Sequence, residues 1–381
     1  MKTFIKILII VLLFSPIIVF SKEEISNAKS GILIEANTGK IIYEKNSEEK
    51  LPMASLTKMM AQIIILENIE SGKIKWSDIV TVSKNAADMG GSQIYLTEGE
   101  KITIEDLMKG ISMASGNDAT VQMAEVISGS EEKFVDLMNK KAKELGLKNT
   151  SFKNSTGLDE NNHYSTAKDL SLIAQELINK HPEILKFSSL YEDYLREDTP
   201  NKFWLVNTNK LIRFYDGADG LKTGHTDNAH YCLAATAKRD NLRLIAIVLG
   251  EENSKIRNSE AMSLLDYGFS NINFNLLKEK GTLIKEIKLD KATKDTIPII
   301  LKADLGVVEL IDNNTHKYHY DIKLDNLKLP IKKNSIVGKI KVIENNNIVS
   351  IGDLIVEEDI ERLKYIELLI NNLKDIVTGN L

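Results

Sequence analysis

The chain predicts an α/β (α+β) fold: one antiparallel sheet covered by helices, followed by a small all-β module. Three observations carry this. Strand-like runs stand at both ends of the first 270 residues, with helical spacing between them. Strands that begin and end a helical stretch close most simply into one sheet with helices on its faces. Beyond Phe269 the helical spacing gives way to short runs that alternate apolar and polar residues, the period of half-buried strands.

In chain order, Lys2 and Lys6 precede an apolar run from Ile7 to Phe20 with a small residue at Ser21. This is the pattern of a secretory signal over 1–21, cut after Ser21. An uncleaved anchor is the rival, but the run is short for a full membrane span. Gly31–Glu35 and Lys40–Glu44 flank Ala36-Asn37-Thr38-Gly39, a hairpin signal. Helical spacing follows near 55–71, 104–114, 116–127, 131–145 and 165–180. Strands are predicted at 231–238 and 242–249, then a helix from about Ser254 to Tyr267. These place a first domain at 25–272. The alternating runs, among them Leu283–Leu289 and Val337–Val342, place a β-rich domain at 275–350. From 353 to 381 the apolar residues Leu363, Ile366, Leu369, Ile370, Leu373, Ile376 and Val377 fall on one side of a predicted amphipathic helix. At the end of an exported chain, such a stripe predicts contact with a membrane surface, the rival being a helix that docks onto the β module or a partner chain.

Composition narrows the classes of function. The formal charge of −5 becomes −7 without residues 1–21, which hold two lysines and no acid. An acidic exported protein is a poor nucleic-acid binder. One cysteine, Cys232, excludes an intramolecular disulfide, and its apolar surroundings suit a buried hydrophobe rather than a catalytic thiol. The six histidines form no metal-binding spacing, and no phosphate-binding glycine loop occurs, so neither metal nor cofactor is expected.

The chemistry is carried by three short elements in order: Ser55-Leu56-Thr57-Lys58, Ser115-Gly116-Asn117 and Lys222-Thr223-Gly224. Singly they are cheap. Ser-x-x-Lys also occurs from Ser47, Ser130 and Ser165, in charged or surface-helix stretches. Ser55 differs because it opens the apolar run Met59, Met60, Ile63, Ile64, Leu66, and on a first turn residues i and i+3 share a face. Lys58 is thereby placed to take the serine's proton, which requires a neutral amine in a desolvated or positively crowded site. Ser115 offers a hydroxyl for proton relay, and Asn117 an amide to orient substrate or Lys58. Lys222-Thr223-Gly224 precedes an apolar run and is expected at the entrance to a strand whose edge can pair with an extended substrate. Ser55 N–H and a backbone N–H near His225 or Thr226 are the expected oxyanion donors. Lys222, Thr223 and Thr226 are expected to hold a substrate carboxylate.

With these residues in place, the chain resembles the D-alanyl-D-alanine carboxypeptidases among the low-molecular-mass penicillin-binding proteins. The likeness runs from about Gly31 to Phe269. It includes Leu51–Met60, Ala114–Ala119, Gly157-Leu158, His163–Ala167 with Asp169-Leu170, Gly220–Thr226 and Leu264–Phe269. The resemblance implies a penicillin-binding, β-lactamase-like transpeptidase fold with a β-rich second domain and a membrane-lying C-terminal helix. It implies a Ser55 acyl-enzyme, a peptidoglycan stem peptide ending in D-Ala-D-Ala as substrate, β-lactams as covalent inhibitors, and action on the outer face of the cytoplasmic membrane. It also gives Arg257 the role of binding the substrate's terminal carboxylate. The chain departs from the family at His230, where glycine is usual, so a narrowed cleft or a reshaped hinge is expected there. Rival readings remain. A D,D-endopeptidase would use the same residues; a class A β-lactamase needs a Glu-x-x-Leu-Asn loop that is missing here; a catalytically dead wall scaffold would have no use for all five of Ser55, Lys58, Ser115, Asn117 and Lys222.

Overall fold

A computed structural model of the chain describes residues 25, 27–197, 199–311 and 316–366. The expected signal segment and most of the expected tail stripe lie outside the described residues.

The first domain is built on a five-stranded antiparallel sheet of β1 (Ser30–Glu35), β2 (Ile41–Lys45), β3 (Ala218–Thr226), β4 (His230–Arg239) and β5 (Leu242–Glu251), in the order β2-β1-β5-β4-β3. The predicted hairpin at 31–44 is thus β1–β2, and β5 joins the two ends of the domain across the middle of the sheet. β4 and β5 are apolar on both faces because helices cover both. On one side, Ile32, Ile34, Ala234, Ile245 and Ile247 share a core with the helices α1 (Lys58–Glu70), α2 (Asn117–Ser128), α3 (Glu131–Glu144) and α4 (Ala167–Lys180). On the other, Leu33, Leu233, Ala235, Leu244 and Ala246 pack against Ala261, Leu264 and Leu265 of α5 (Ser254–Asn271). Alternate residues of one strand go to opposite cores, as the two-residue period requires.

Three features of this domain position the site. α1 is buried along Lys58–Leu66, so its apolar residues reach every side of the helix and fix it as the central post of the helical layer. Each fully buried Met, Ile or Leu there contributes about 1.5–3 kcal/mol, which holds its N-terminus firmly. Next, the helix expected over 104–114 ends early. An α-helix covers Ile104–Lys109, and the chain then widens into a π-turn at Gly110–Ala114 that closes on Ser115 with φ +62°. Finally, β3 is the sheet's free edge, and Lys222-Thr223-Gly224 lies mid-strand, four residues after its start, not at its entrance.

The second domain is all β. Strands β6 (Ile272–Lys278) and β9 (Leu305–Leu310) form a ribbon, while β7 (Leu283–Ile287), β8 (Ile297–Leu301), β10 (His319–Leu324), β11 (Ile336–Glu344) and β12 (Asn347–Ile355) form a sheet in the order β7-β8-β12-β11-β10. The chain beyond β12 corrects the expected start of the tail helix. Residues 353–355 finish β12, Val356 and Ile360 are buried in this domain's core, and Ile360 exchanges backbone hydrogen bonds with Ile331. Apolar side chains at 356 and 360 therefore serve the β module, and helical conformation first appears at Tyr365 among the described residues.

Candidate active site

Ser55 sits in a 3-10 turn, Ala54–Thr57, that runs directly into α1. Ala54 takes φ +47°, an uncommon conformation for a residue with a Cβ, and aims the turn into a cleft. Ser115 is the second left-handed residue facing the same space. Strained backbone of this kind persists only where surrounding structure imposes it, and it gathers at functional sites.

Lys58 is fully buried, and its amine has three neighbours: Ser55 Oγ at 3.0 Å, Asn117 Oδ1 at 2.7 Å and the Thr156 carbonyl at 2.7 Å. A neutral amine has two N–H donors and one lone pair. Donation to Asn117 Oδ1 and Thr156 O uses both donors and leaves the lone pair for the Ser55 hydroxyl. Burial, then the charge of Lys222, push Lys58 well below the usual lysine range; Asp118 and Glu131 oppose this. The lysine is thus biased to the form that can accept a proton.

Asn117 is fixed from behind, its Nδ2 donating to the Gly90 carbonyl at 2.7 Å. Buried Asp118 accepts the N–H groups of Ile94 and Leu96, tying the 92–96 loop to the start of α2. The Ser115 hydroxyl is buried without a hydrogen-bond partner among the described residues.

On the opposite wall, Lys222 is 1% exposed and donates to the Thr223 carbonyl at 2.9 Å. Burial and the neighbouring Arg257 push it down to about 7. Thr223 Oγ1 donates to Thr208 Oγ1 at 2.7 Å. Arg257, on the first turn of α5, is 5% exposed and, among the described residues, donates to the neutral Asn258 Oδ1. Lys222 and Arg257 therefore lie close enough to act on each other, with no carboxylate hydrogen-bonded to either among the described residues, and Arg257 lines the cleft. The cleft measures about 410 Å³ and is lined by Ser55, Ser115, Thr223, Gly224, His225 and Arg257, together with Ser92, Thr208 and Tyr231.

β3 passes close to the nucleophile's turn. A Cβ on Gly224 would come within 3.1 Å of Ser55 N, so glycine lets the strand edge approach. Thr226 is different from its expected role. Its hydroxyl donates to Asp159 Oδ1 at 2.6 Å and it does not line the cleft, because at the strand's end it is drawn to the 157–161 loop. His230 does not narrow the cleft either: it is exposed, with φ +54° at the β3–β4 turn. The turn demands a left-handed residue, which glycine supplies freely and histidine tolerates better than most. His225 instead packs against Tyr231, the rings tilted by 38° with centroids 4.1 Å apart.

Sequence reasoning missed the Thr156 carbonyl, Thr208 and Ser92. A backbone carbonyl leaves no residue-type signal, and the other two lie in loops without periodicity. The other Ser-x-x-Lys serines have structural partners: Ser47 donates to Glu44, Ser130 caps α3, and Ser165 is bonded to Thr150. Ser47 and Ser165 are buried, not on the surface faces expected of them. No group of three or more metal-ligating side chains occurs among the described residues.

Residues 19–253 match the family model of the D-alanyl-D-alanine carboxypeptidases, and 274–362 match that of the penicillin-binding protein 5 C-terminal domain. The chain belongs to the D-alanyl-D-alanine carboxypeptidase family. It is a serine-type hydrolase of that class. It is 45% identical to D-alanyl-D-alanine carboxypeptidase DacF of Bacillus subtilis over 356 residues, covering 93% of this chain and 91% of that one. It is 33% identical to DacC of Escherichia coli over 370 residues, 92% and 89% of the two chains. Among solved structures, penicillin binding protein 5 from Haemophilus influenzae aligns with a TM-score of 0.70 at 32% identity, over 88% of this chain and 98% of that one. Penicillin-binding protein D2 from Listeria monocytogenes, in its ampicillin-bound form, aligns with a TM-score of 0.58 at 31% identity, over 64% and 97%. The two-domain fold of the carboxypeptidase is that of the Haemophilus protein.

Proposed function

We propose that the carboxypeptidase removes the terminal D-alanine of peptidoglycan stem peptides through an acyl-enzyme on Ser55, with Lys58 as base. The observation that carries this is the amine of Lys58, whose two donors are taken and whose remaining position faces the Ser55 hydroxyl at 3.0 Å.

An extended peptide pairs with the free edge of β3, its terminal carboxylate toward Lys222, Thr223 and Arg257. Lys58 takes the proton of Ser55 as the hydroxyl oxygen attacks the penultimate carbonyl carbon. The oxyanion is held by Ser55 N–H, at a helix start where N–H groups lack intrahelical acceptors, and by the His225 N–H. Lys58 gives that proton back through the Ser115 hydroxyl, buried beside them, to the departing amine of D-alanine as the amide C–N bond breaks. Water then cleaves the ester and Ser55 is restored.

The carboxylate end supports an exopeptidase over an endopeptidase. Buried Lys222 and Arg257 are best satisfied by an anion, which the end of a peptide has and an internal bond lacks. β-Lactams, which carry a carboxylate beside a strained amide, fit the same positions and acylate Ser55. The apolar 7–20 run and the apolar stripe beyond 363 support an exported protein working on the outer face of the membrane.

The test is release of D-alanine from a pentapeptide ending in D-Ala-D-Ala. Wild type releases it; Ser55→Ala loses on the order of 10^4-fold or more, and Lys58→Arg does not rescue a Lys58 loss, because guanidinium keeps its proton. Release undiminished in Ser55→Ala would refute the assignment.

A further inference from the structure

We propose that His163 is a positioning residue for this reaction, acting through Thr57 to lock the nucleophile's turn onto the loop that orients Lys58. The inference rests on Ser55 and Lys58 being the reacting pair.

His163 is 6% exposed, its ring edge-on to Phe152 with centroids 6.1 Å apart. The Lys153 backbone N–H donates to its Nδ1 at 3.0 Å. That nitrogen therefore carries no proton, and in the neutral ring Nε2 must carry it. Nε2 then donates to Thr57 Oγ1, 2.7 Å away. Burial keeps the ring neutral, down to about 4, so this tautomer is the resting one at neutral pH. With both nitrogens engaged, His163 has no lone pair free to act as a base.

The two groups it joins are the two halves of the catalytic amine's environment. Thr57 is fully buried between Ser55 and Lys58 in the chain. The loop anchored at Lys153 and His163 presents the Thr156 carbonyl to Lys58 and seats Gly157 against Ala54 and Ser55. Lys58 has its lone pair on Ser55 only while Thr156 O occupies one of its donors. Displacing the loop frees that donor and turns the amine away. A displacement of about 1 Å at such a support costs on the order of 10^2-fold in rate.

The test is acylation by a fluorescent penicillin in full-length protein, resolved into a binding constant and a limiting acylation rate, for His163→Ala, Thr57→Val, Thr57→Ser and the double variant His163→Ala/Thr57→Val. Each single loss of the bond is expected to lower the limiting rate 10–100-fold with binding constant unchanged. Thr57→Ser, which keeps the acceptor hydroxyl, stays within threefold of wild type, and the double variant is no slower than the slower single. Limiting rates within threefold of wild type in Thr57→Val, losses that multiply in the double, or a change confined to the binding constant would each overturn it. Should His163→Ala not fold, the Thr57 pair decides alone. Peptide mapping of the wild-type adduct separates the two levels: an adduct away from Ser55 defeats the underlying reading, whereas Ser55 acylation at wild-type rates in the variants defeats only this inference.

Discussion

At the scale of single residues, the active site is a problem in keeping charge where burial opposes it. Lys58 must be neutral to accept a proton, and both burial and the positive charge of Lys222 favour that form. Acylation should therefore rise as pH passes upward through the lowered value of Lys58. Removing the charge of Lys222 lets the Lys58 value rise, so in Lys222→Gln the acid limb of the acylation profile moves to higher pH; an unmoved or lowered midpoint would show that the two lysines are not coupled. Arg257 has a different task. Its hydrogen-bond partner is the neutral Asn258, so Arg257→Ala should impair a peptide with a free terminal carboxylate by at least about tenfold more than its ester, as expected when a charge-assisted bond worth ~1.5–3 kcal/mol is lost from one substrate only. Equal losses on acid and ester, with a fallen Tm, would mark Arg257 as a structural group of α5. The gathering of these side chains was legible in the sequence because residue types announce it: Ser55, Ser115 and Arg257 line one cleft, Lys58 bonds Ser55 and Asn117, and Lys222 lies beside Arg257. Thr226 was misjudged because its hydroxyl had a carboxylate, Asp159, to reach across the turn, and long-range partners leave no local trace.

At the scale of elements, the site is made where a buried helix start, a strained turn and a sheet edge converge. The α1 post and the β4–β5 pair were readable from period and apolar run, since burial on all sides imposes continuous hydrophobicity. The π-turn before Ser115 was not, because nothing in Gly-Ile-Ser-Met-Ala tells a widened turn from the end of an α-helix. The 153–163 loop carries the tightest constraint. Gly157 has φ +88°, and a Cβ there would stand 1.9 Å from the Ala54 carbonyl oxygen. Gly157→Ala must displace the loop or the nucleophile's turn, in addition to a left-handed penalty of about 1–2 kcal/mol. A loss of at least about tenfold in acylation is expected, together with a lowered Tm; wild-type acylation in that variant would show that loop and turn move independently.

At the scale of the whole molecule, the boundary between catalytic domain and β module was visible as a change of period, from helical spacing in α5 to alternation after residue 272. The tail helix was expected from 353, whereas residues 353–355 finish β12 and Val356 and Ile360 enter the β-module core, a matter that only packing decides. This sets where the chain can be cut. Truncation after residue 364 should leave a folded protein with unchanged activity on a soluble peptide and release it from membranes. Truncation after 355 should lower the stability of the β module by roughly 2–5 kcal/mol for each large buried side chain removed. Continued pelleting of the 364 truncation with membranes would end the idea of a tail anchor.

The most direct measurement of the central claim is peptide mapping, by mass, of the protein after reaction with penicillin. A nucleophile held 3.0 Å from the amine of a buried lysine, in a cleft lined by Arg257, should give one long-lived adduct, on the peptide that contains Ser55. That adduct should be absent from Ser55→Ala and form slowly in Lys58→Ala. An adduct on Ser47, Ser115, Ser130 or Ser165, or none at all on folded wild-type protein, would contradict the account.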